Sequence, residues 1–394
     1  MSASESDFSI RSLLIPVFLP SLLFTTAESA LIPLIPSVAL EMGANLPTAG
    51  AIAGALMLGQ LLADIPAAAI VSRLGERRSM IAASALGLAG VLVAFASNQL
   101  WLLALGMLAI GAGAAVFGLA RHGFMTATAP LSHRARSLSL LGGTFRASGA
   151  IGPLIGSFLL SKYSSEAVFA TSAALCLLAI LVVLLSKDIA DNSIEQKSDL
   201  STIQLAMAER KSLLTVGVGS MILMSMRTVR AIGLPLWALH IGLETSVATL
   251  IIGVAAVLDF ALFYTSGQIM DRWGRRAVAI PTLFGFGVAY LLFSFATDQT
   301  GFLILALGMS LANAVGSGLV MVLAADNAPL QYRNQYLALF RLQLDCGAAA
   351  APQLLALITA AVSLSAGLAS FGVLGLVGAW IMWRYVPRQV QIRA

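Results

Sequence analysis

The amino-acid sequence predicts an all-α membrane protein with twelve transmembrane helices, arranged as two six-helix halves with both termini in the cytoplasm. Three observations support this fold class. Of 394 residues, 59% are hydrophobic and only 10% are charged, against roughly 25% charged in soluble domains. The apolar residues form runs bounded by charges, Pro and Gly, each long enough for a helix that crosses a bilayer. The second half of the sequence repeats the spacing of the first.

This composition excludes several classes of protein. A soluble enzyme of this size would expose a mostly apolar surface, and a membrane β-barrel would show short alternating segments instead of unbroken runs. Cys176 and Cys346 both lie in apolar segments, so no disulfide framework is expected. The N-terminus lacks the basic region and cleavage site of a signal peptide, so we expect the first helix to stay in the mature protein.

The first half, residues 1–186, holds six apolar runs. In order, the predicted helices are Leu13–Leu40, Ala49–Val71, Ser79–Ser97, Leu100–Ala127, Leu138–Ser161 and Ala167–Ser186. A polar stretch rich in Asp, Ser, Glu and Gln, residues 187–211, is predicted to be a cytoplasmic linker. The second half, residues 212–394, holds Leu213–Leu239, Val247–Ser266, Val278–Ala296, Gly301–Ala325, Tyr336–Ala361 and Ala366–Tyr385.

The basic residues predict the orientation. With the N-terminus inside, Lys162 is the only basic residue of the outer loops, and the other loop Lys and Arg residues face the cytoplasm. This asymmetry explains the net charge of +5 without a nucleic-acid partner.

An internal repeat relates the halves. One ungapped shift of 199 residues aligns the pairs Pro36 and Pro235, Gly43 and Gly242, Gly54 and Gly253, Arg73 and Arg272, Gly75 and Gly274, Arg77 and Arg276, Pro130 and Pro329, Arg134 and Arg333, and Pro153 and Pro352. Residues related by this shift are called repeat mates. Their agreement from the first helix to the eleventh predicts two copies of one six-helix unit.

Two motifs carry a family resemblance. The loop after the eighth helix reads GQIMDRWGRR, and its first-half counterpart has Ala68 and Ser72 in place of Gly267 and Asp271. The fifth helix contains GAIGPLIG. The sequence thereby resembles the major facilitator superfamily, and in particular its twelve-helix drug:proton antiporter branch. The resemblance implies a transporter that works by alternating access, with helices three, six, nine and twelve as outer supports.

Within this resemblance, the loop motif implies a conformational latch. Its residues are Gly267, Asp271, Arg272, Gly274, Arg275, Arg276 and, on the tenth helix, Asp326, with Arg73, Gly75 and Arg77 in the first half. The repeat mates of Asp271 and Asp326 are Ser72 and Ala127, so we expect the working latch in the second half. Alternatively, these charges only set the topology.

The Gly-Pro stretch of the fifth helix, Gly149, Gly152, Pro153 and Gly156, resembles the family's antiporter motif. It also fits close packing of two helices.

Charged residues within the predicted helices indicate functional positions because each is costly in lipid. Proton coupling is assigned to Asp64, Glu28, Asp259 and Asp345, and the substrate cavity to Arg121, Arg146, Arg227, Arg230, Arg341 and Trp237. Arg341 and Asp345 are four residues apart and share a helix face. Asp64, Arg121 and Arg146 lie at similar predicted depths. Static structural ion pairs are the alternative.

The sequence thus predicts a proton-coupled exporter of small organic or drug-like compounds in the cytoplasmic membrane, energised by the proton gradient. We expect a monomer in the lipid bilayer without a cofactor or a metal site. The alternative is an importer or exchanger of an organic anion bound by the arginines. A membrane enzyme is disfavoured because no H-E-x-x-H motif, phosphate-binding loop or nucleophile with an adjacent base is evident.

Overall fold

The computed structural model describes residues 13–128, 131–186 and 202–387. Every regular element in these ranges is helical. The helices of the first half are α1 (Leu14–Glu41), α2 (Leu46–Leu74), α3 (Glu76–Phe95), α4 (Leu100–Thr128), α5 (Leu131–Lys162) and α6 (Ser165–Leu185). A short helix, Thr202–Ala208, precedes the second half.

The helices of the second half are α7 (Arg210–His240), α8 (Thr245–Trp273), α9 (Arg276–Leu291), α10 (Gln299–Asn327), α11 (Arg333–Ala361) and α12 (Leu364–Tyr385). Ten of the twelve are long and apolar enough to cross a bilayer. Of the other two, α9 is a shorter apolar helix and α5 is a helix of 32 residues. The predicted twelve-helix fold is confirmed. Most of the predicted linker lies outside the described residues, and the half boundaries stay a prediction.

The helix pairs that pack together recur in both halves. In the first half, α1 packs on α5 and α6, and α3 packs on α4 and α6. In the second half, α7 packs on α11 and α12, and α9 packs on α10 and α12. These pairs are related by the repeat, so the duplicated sequence forms a duplicated packing scheme.

The chain divides into two compact units. The first contains Met1–Asn45, Ile52–Glu195 and Thr245–Gly253, and the second contains Leu46–Ala51, Gln196–Glu244 and Val254–Ala394. Leu46–Ala51, at the start of α2, belongs to the second unit, and Thr245–Gly253, at the start of α8, belongs to the first. These two segments are related by the repeat.

Two helices differ from the prediction in ways that bear on function. Helix α8 continues beyond Ser266, so Gly267, Asp271 and Arg272 lie on its last turns. Helix α10 is broken into Gln299–Val315 and Leu319–Asn327. The break falls at Gly-Ser-Gly, where Gly318 has a φ of 72°, a left-handed conformation that glycine adopts without strain.

Candidate functional site

A network of polar side chains lies between α7, α8 and α10. Arg230 on α7 and Asp259 on α8 form an ion pair of 3.5 Å between Nη1 and Oδ2, with side chains only 12% and 13% exposed. Arg230 Nη2 also donates to Ser310 Oγ on α10 at 2.6 Å. The Nδ2 group of Asn313 donates to the same carboxylate oxygen of Asp259. This carboxylate therefore has both a charged and a neutral donor.

Arg227 connects this network to the break in α10. Its Nε donates to Asn313 Oδ1 at 2.8 Å, and its Nη2 donates to the carbonyl oxygen of Gly316 at 2.8 Å. The carbonyl oxygen of Ser317 accepts from Ser266 Oγ of α8 at 2.7 Å. A helix break leaves backbone carbonyls without helical partners, and in a membrane protein they need another donor. Arg227 and Ser266 supply these donors.

The five residues Arg227, Arg230, Asp259, Ser310 and Asn313 are called the second-half cluster. The charge pattern of the sequence identified its three charged members. Ser310 and Asn313 were missed because neutral polar residues are common in transmembrane helices. The Gly-Ser-Gly sequence shortly after Asn313 indicates a helix break, and this was the signal that could have identified them.

A smaller polar group, the first-half cluster, contains Glu28, Gln60 and Arg121. Gln60 Nε2 donates to Glu28 Oε1 at 3.2 Å, and the charge of Arg121 attracts Glu28. The Arg121 guanidinium lies over the Phe145 ring, 3.5 Å from its centroid, and is itself buried. Contact between a guanidinium and an aromatic face is favourable in a desolvated site. Arg121 therefore packs on the Phe145 side chain of α5.

The other residues assigned to the cavity or to proton coupling are more dispersed. Asp64 and Arg146 are half-buried on α2 and α5. Arg341 and Asp345 form the expected pair on α11, 3.4 Å apart, with 47% and 26% of their side chains exposed. At this exposure the pair contributes little to stability.

The position of Trp237 corrects the prediction of a cavity residue. Its side chain is 3% exposed, and its Nε1 donates to the carbonyl oxygen of Ala296 at 2.8 Å. Its ring meets Phe293 edge to face, with centroids 5.5 Å apart. Trp237 is a core residue of its half because its polar edge is satisfied by backbone within the fold.

The loop motif forms an ion pair in the second half. Arg275 Nε lies 2.8 Å from Asp326 Oδ2, and Arg275 Nη1 also donates to Met270 O at 3.4 Å. Asp271 is exposed, so Asp326 is the acid that pairs with Arg275 in the part of the chain that the structure describes. A Cβ on Gly267 would meet no atom within 4 Å.

The turn of the loop motif requires glycine in both halves. Gly75 has φ 76° and ψ 164°, and Gly274 has φ 84° and ψ 167°. This region of backbone conformation is essentially restricted to glycine. Arg73 is exposed, whereas Arg77 donates to the carbonyl oxygens of Val183 and Leu184 at 3.1 and 2.6 Å.

The Gly-Pro stretch of α5 packs on α1. A Cβ on Gly152 would collide with the backbone of Ser29 and Ala30, next to Glu28. A Cβ on Gly156 would lie 3.5 Å from the carbonyl oxygen of Ala30, whereas Gly149 faces open space. Pro153 lies within the continuous helix. At Gly152 and Gly156 the motif thus allows close approach of two helices at the level of Glu28.

Comparison with known proteins identifies the protein family. The family model of the Major Facilitator Superfamily matches residues 17–273 and 213–393. The chain belongs to this superfamily and is a multi-pass membrane transporter. No curated protein sequence matches it significantly.

Solved structures share the fold at low sequence identity. A POT family transporter in complex with a thioalcohol-conjugated peptide is 13% identical, with a TM-score of 0.79 and 96% of each chain covered. A D-xylose–proton symporter is 16% identical, with a TM-score of 0.74 and coverage of 96% of this chain and 98% of that one. The nucleoside transporter NupG is 11% identical, with a TM-score of 0.75 and coverage of 96% and 99%.

Proposed function

We propose that this transporter is proton-coupled and exports small organic or drug-like compounds by antiport across the cytoplasmic membrane, acting as a monomer. The observation that carries the proposal is the buried Arg230–Asp259 pair, because a proton on Asp259 would remove the charge that holds Arg230. An intramembrane ion pair of this kind is a functional position by default.

Protonation of Asp259 would act on more than one contact. Asn313 would lose its charged acceptor, and Asn313 also accepts from Arg227, which holds the Gly316 carbonyl at the α10 break. The proton is thereby linked to a helix whose far segment carries Asp326, the partner of Arg275. A ligand shifts a conformational equilibrium only by its different affinity for the two states. Asp259 would bind a proton with different affinity in the two conformations if Arg230 is paired with it in only one of them.

The first-half residues have supporting roles in this proposal. Glu28 is a second protonatable position, with Arg121 as its cation. Gly152 and Gly156 keep α5 close to α1, and the Arg275–Asp326 pair acts as the latch that holds one conformer. Asp64 and Asp345 remain candidates for proton transfer, and Arg146 and Arg341 for substrate contact.

The second candidate function is transport of an organic anion. It is favoured by the two arginines of α7, because Arg230 can exchange the Asp259 carboxylate for a substrate carboxylate when Asp259 is neutral. Guanidinium groups bind carboxylates through two parallel hydrogen bonds. In this case the substrate and the proton would bind together.

Purified protein in proteoliposomes, under an imposed pH gradient, tests both candidates with cationic dyes and carboxylates as substrates. Wild-type protein should move substrate against its gradient, and the sign of the pH gradient that drives this movement separates antiport from symport. Asp259→Asn should abolish gradient-driven accumulation while substrate exchange persists. Glu166→Gln, an acid outside the site, is the control. Full accumulation by Asp259→Asn would overturn the proposal.

A further inference from the structure

Three arginines at one end of the second half lie over aromatic rings that are largely exposed. The guanidinium carbon of Arg276 is 5.3 Å from the ring centroid of Trp383, that of Arg384 is 5.6 Å from Tyr385, and that of Arg272 is 5.5 Å from Trp273. Trp383 and Trp273 are 51% and 61% exposed. Arg276 and Trp383 join the start of α9 to the end of α12, which pack along their length.

The first half keeps two of these three arginines, as Arg73 and Arg77, and has Leu185 in place of Arg384. The repeat mates of Trp273, Trp383 and Tyr385 are Leu74, Leu184 and Ser186. Arg77, the mate of Arg276, uses its guanidinium to bind two backbone carbonyls at the end of α6. Arg276, in contrast, is half-buried and forms no hydrogen bond or ion pair with any residue that the structure describes.

The charge around these rings is mainly positive. Asp326 is already paired with Arg275. Asp271 is the one exposed acid on the adjoining turn of α8. This end of the helices is the end that the distribution of basic residues predicts to face the cytoplasm. Exposed Trp and Tyr rings are typical of the level of the lipid headgroups.

From these contacts we infer that Arg276, Trp383, Arg384 and Tyr385 form a binding site for the headgroup of an anionic phospholipid, extended by Arg272 and Trp273. Guanidinium donors match phosphate oxygens, which they can bind in pairs. The rings hold the guanidinium planes in place and lie against the glycerol region of the lipid. The site lies on α9 and α12 with an extension on α8, and it includes neither Arg230 nor Asp259 of the proposed proton coupling.

Native mass spectrometry of the detergent-solubilised full-length protein tests the site with phosphatidylglycerol and phosphatidylcholine. Each basic residue near an anionic surface contributes about 1 kcal/mol, or about fivefold in affinity. The variant R276Q/R384Q should therefore bind phosphatidylglycerol roughly 25-fold more weakly than wild type. The matched control R73Q/R78Q removes two exposed first-half arginines and should bind like wild type.

Inorganic phosphate and the neutral lipid separate the remaining outcomes. Excess inorganic phosphate should not displace phosphatidylglycerol, because it lacks the part of the lipid that contacts the rings. Equal binding of phosphatidylcholine, an equal loss in both double variants, or unchanged binding by R276Q/R384Q would each overturn the site. Displacement of phosphatidylglycerol by inorganic phosphate would show that the site binds any anion, and it would also contradict the inference of a lipid site.

Discussion

The two polar clusters share two equivalent positions of the repeat but carry different chemistry there. Glu28 and Arg227 are repeat mates, and so are Gln60 and Asp259. In the first half the acid is on α1 and its neutral partner on α2, whereas in the second half the base is on α7 and the acid on α8. The repeat thus places polar residues at the same two positions, but Asp259 pairs with Arg230, whose repeat mate is Leu31, instead of with Arg227.

Helix packing explains why the second-half cluster is larger. A Cβ on Gly59 or Gly111 would overlap a backbone carbonyl across the α2–α4 contact, so these helices touch backbone to backbone. Their repeat mates are Leu258 and Ser310. Because Ser310 carries a polar side chain where Gly111 has none, α10 presents a partner to Arg230 where α4 presents only backbone.

The same contrast separates α4 from α10. The repeat mates of Gly316, Ser317 and Gly318 are Phe117, Gly118 and Leu119. Phe117 stacks on Phe24 with centroids 4.7 Å apart, and α4 is continuous there. The contrast shows that α2 and α4 are held by close backbone packing, whereas α8 and α10 are held by hydrogen bonds that a proton on Asp259 can change.

The largest effect is expected for Arg230→Gln, which leaves Asp259 without its cation. Removing one partner of a buried ion pair costs about 3–5 kcal/mol. The apparent melting temperature in detergent should fall by about 10 °C. The double variant Arg230→Gln/Asp259→Asn should recover most of this loss. Equal melting of the single and double variants would show that the pair does not stabilise the second half.

Gly111→Ala tests the packing of the first half. The new methyl group overlaps the carbonyl oxygen of Leu56 and should cost about 1–3 kcal/mol, measured by thermal unfolding. Gly118→Ala is the control on the same helix, because its Cβ would lie 3.8 Å from the Arg121 guanidinium. If both variants melt alike, α2 and α4 are not in backbone contact.

Gly318→Ala tests the break in α10. A left-handed conformation costs an alanine about 1–2 kcal/mol, and we expect slower transport together with this loss of stability. Gly308→Ala, on the first segment of α10, adds a methyl group with no atom within 4 Å and should leave both unchanged. Wild-type transport by Gly318→Ala would argue against a functional break.

Glu28→Gln compares the two candidate proton sites directly. The amide keeps a hydrogen bond with Gln60 but removes the charge that attracts the buried Arg121, so the cost should be about 1–3 kcal/mol. Gradient-driven accumulation in proteoliposomes should fall less than in Asp259→Asn. The reverse order of the two variants would place the coupling site in the first half.

The smallest change in stability is expected for Asp326→Asn, because partly exposed pairs contribute about 0–1 kcal/mol. Its effect should instead be conformational. Cys346 is exposed and Cys176 is buried, so alkylation of Cys346 reports on the conformer that the latch holds. Asp326→Asn should slow this alkylation, and Glu76→Gln, at the repeat mate of Arg275, should not. An unchanged rate of Cys346 alkylation in Asp326→Asn would show that the Arg275–Asp326 pair is not a latch.

Features that depend on local pattern could be predicted from the residues alone. The apolar runs predicted all twelve helices, the 199-residue shift predicted the duplicated packing, and the loop motif marked the turns at Gly75 and Gly274. These features were predictable because backbone hydrogen bonding in lipid forces each apolar run into a helix, and because a turn at positive φ needs glycine.

The contacts between polar groups, in contrast, depend on how the helices pack. Arg227 and Arg230 lie one turn apart on α7, yet one holds a helix break and the other an acid. Trp237 turned out to be a core residue, and Asn313 joined the site without carrying a charge. The partner of a polar side chain depends on the distance to the neighbouring helices and on which of their faces point toward it. Single glycines on α2 and α4, and a break in α10, set these distances through packing, which the pattern of charges along the chain does not show.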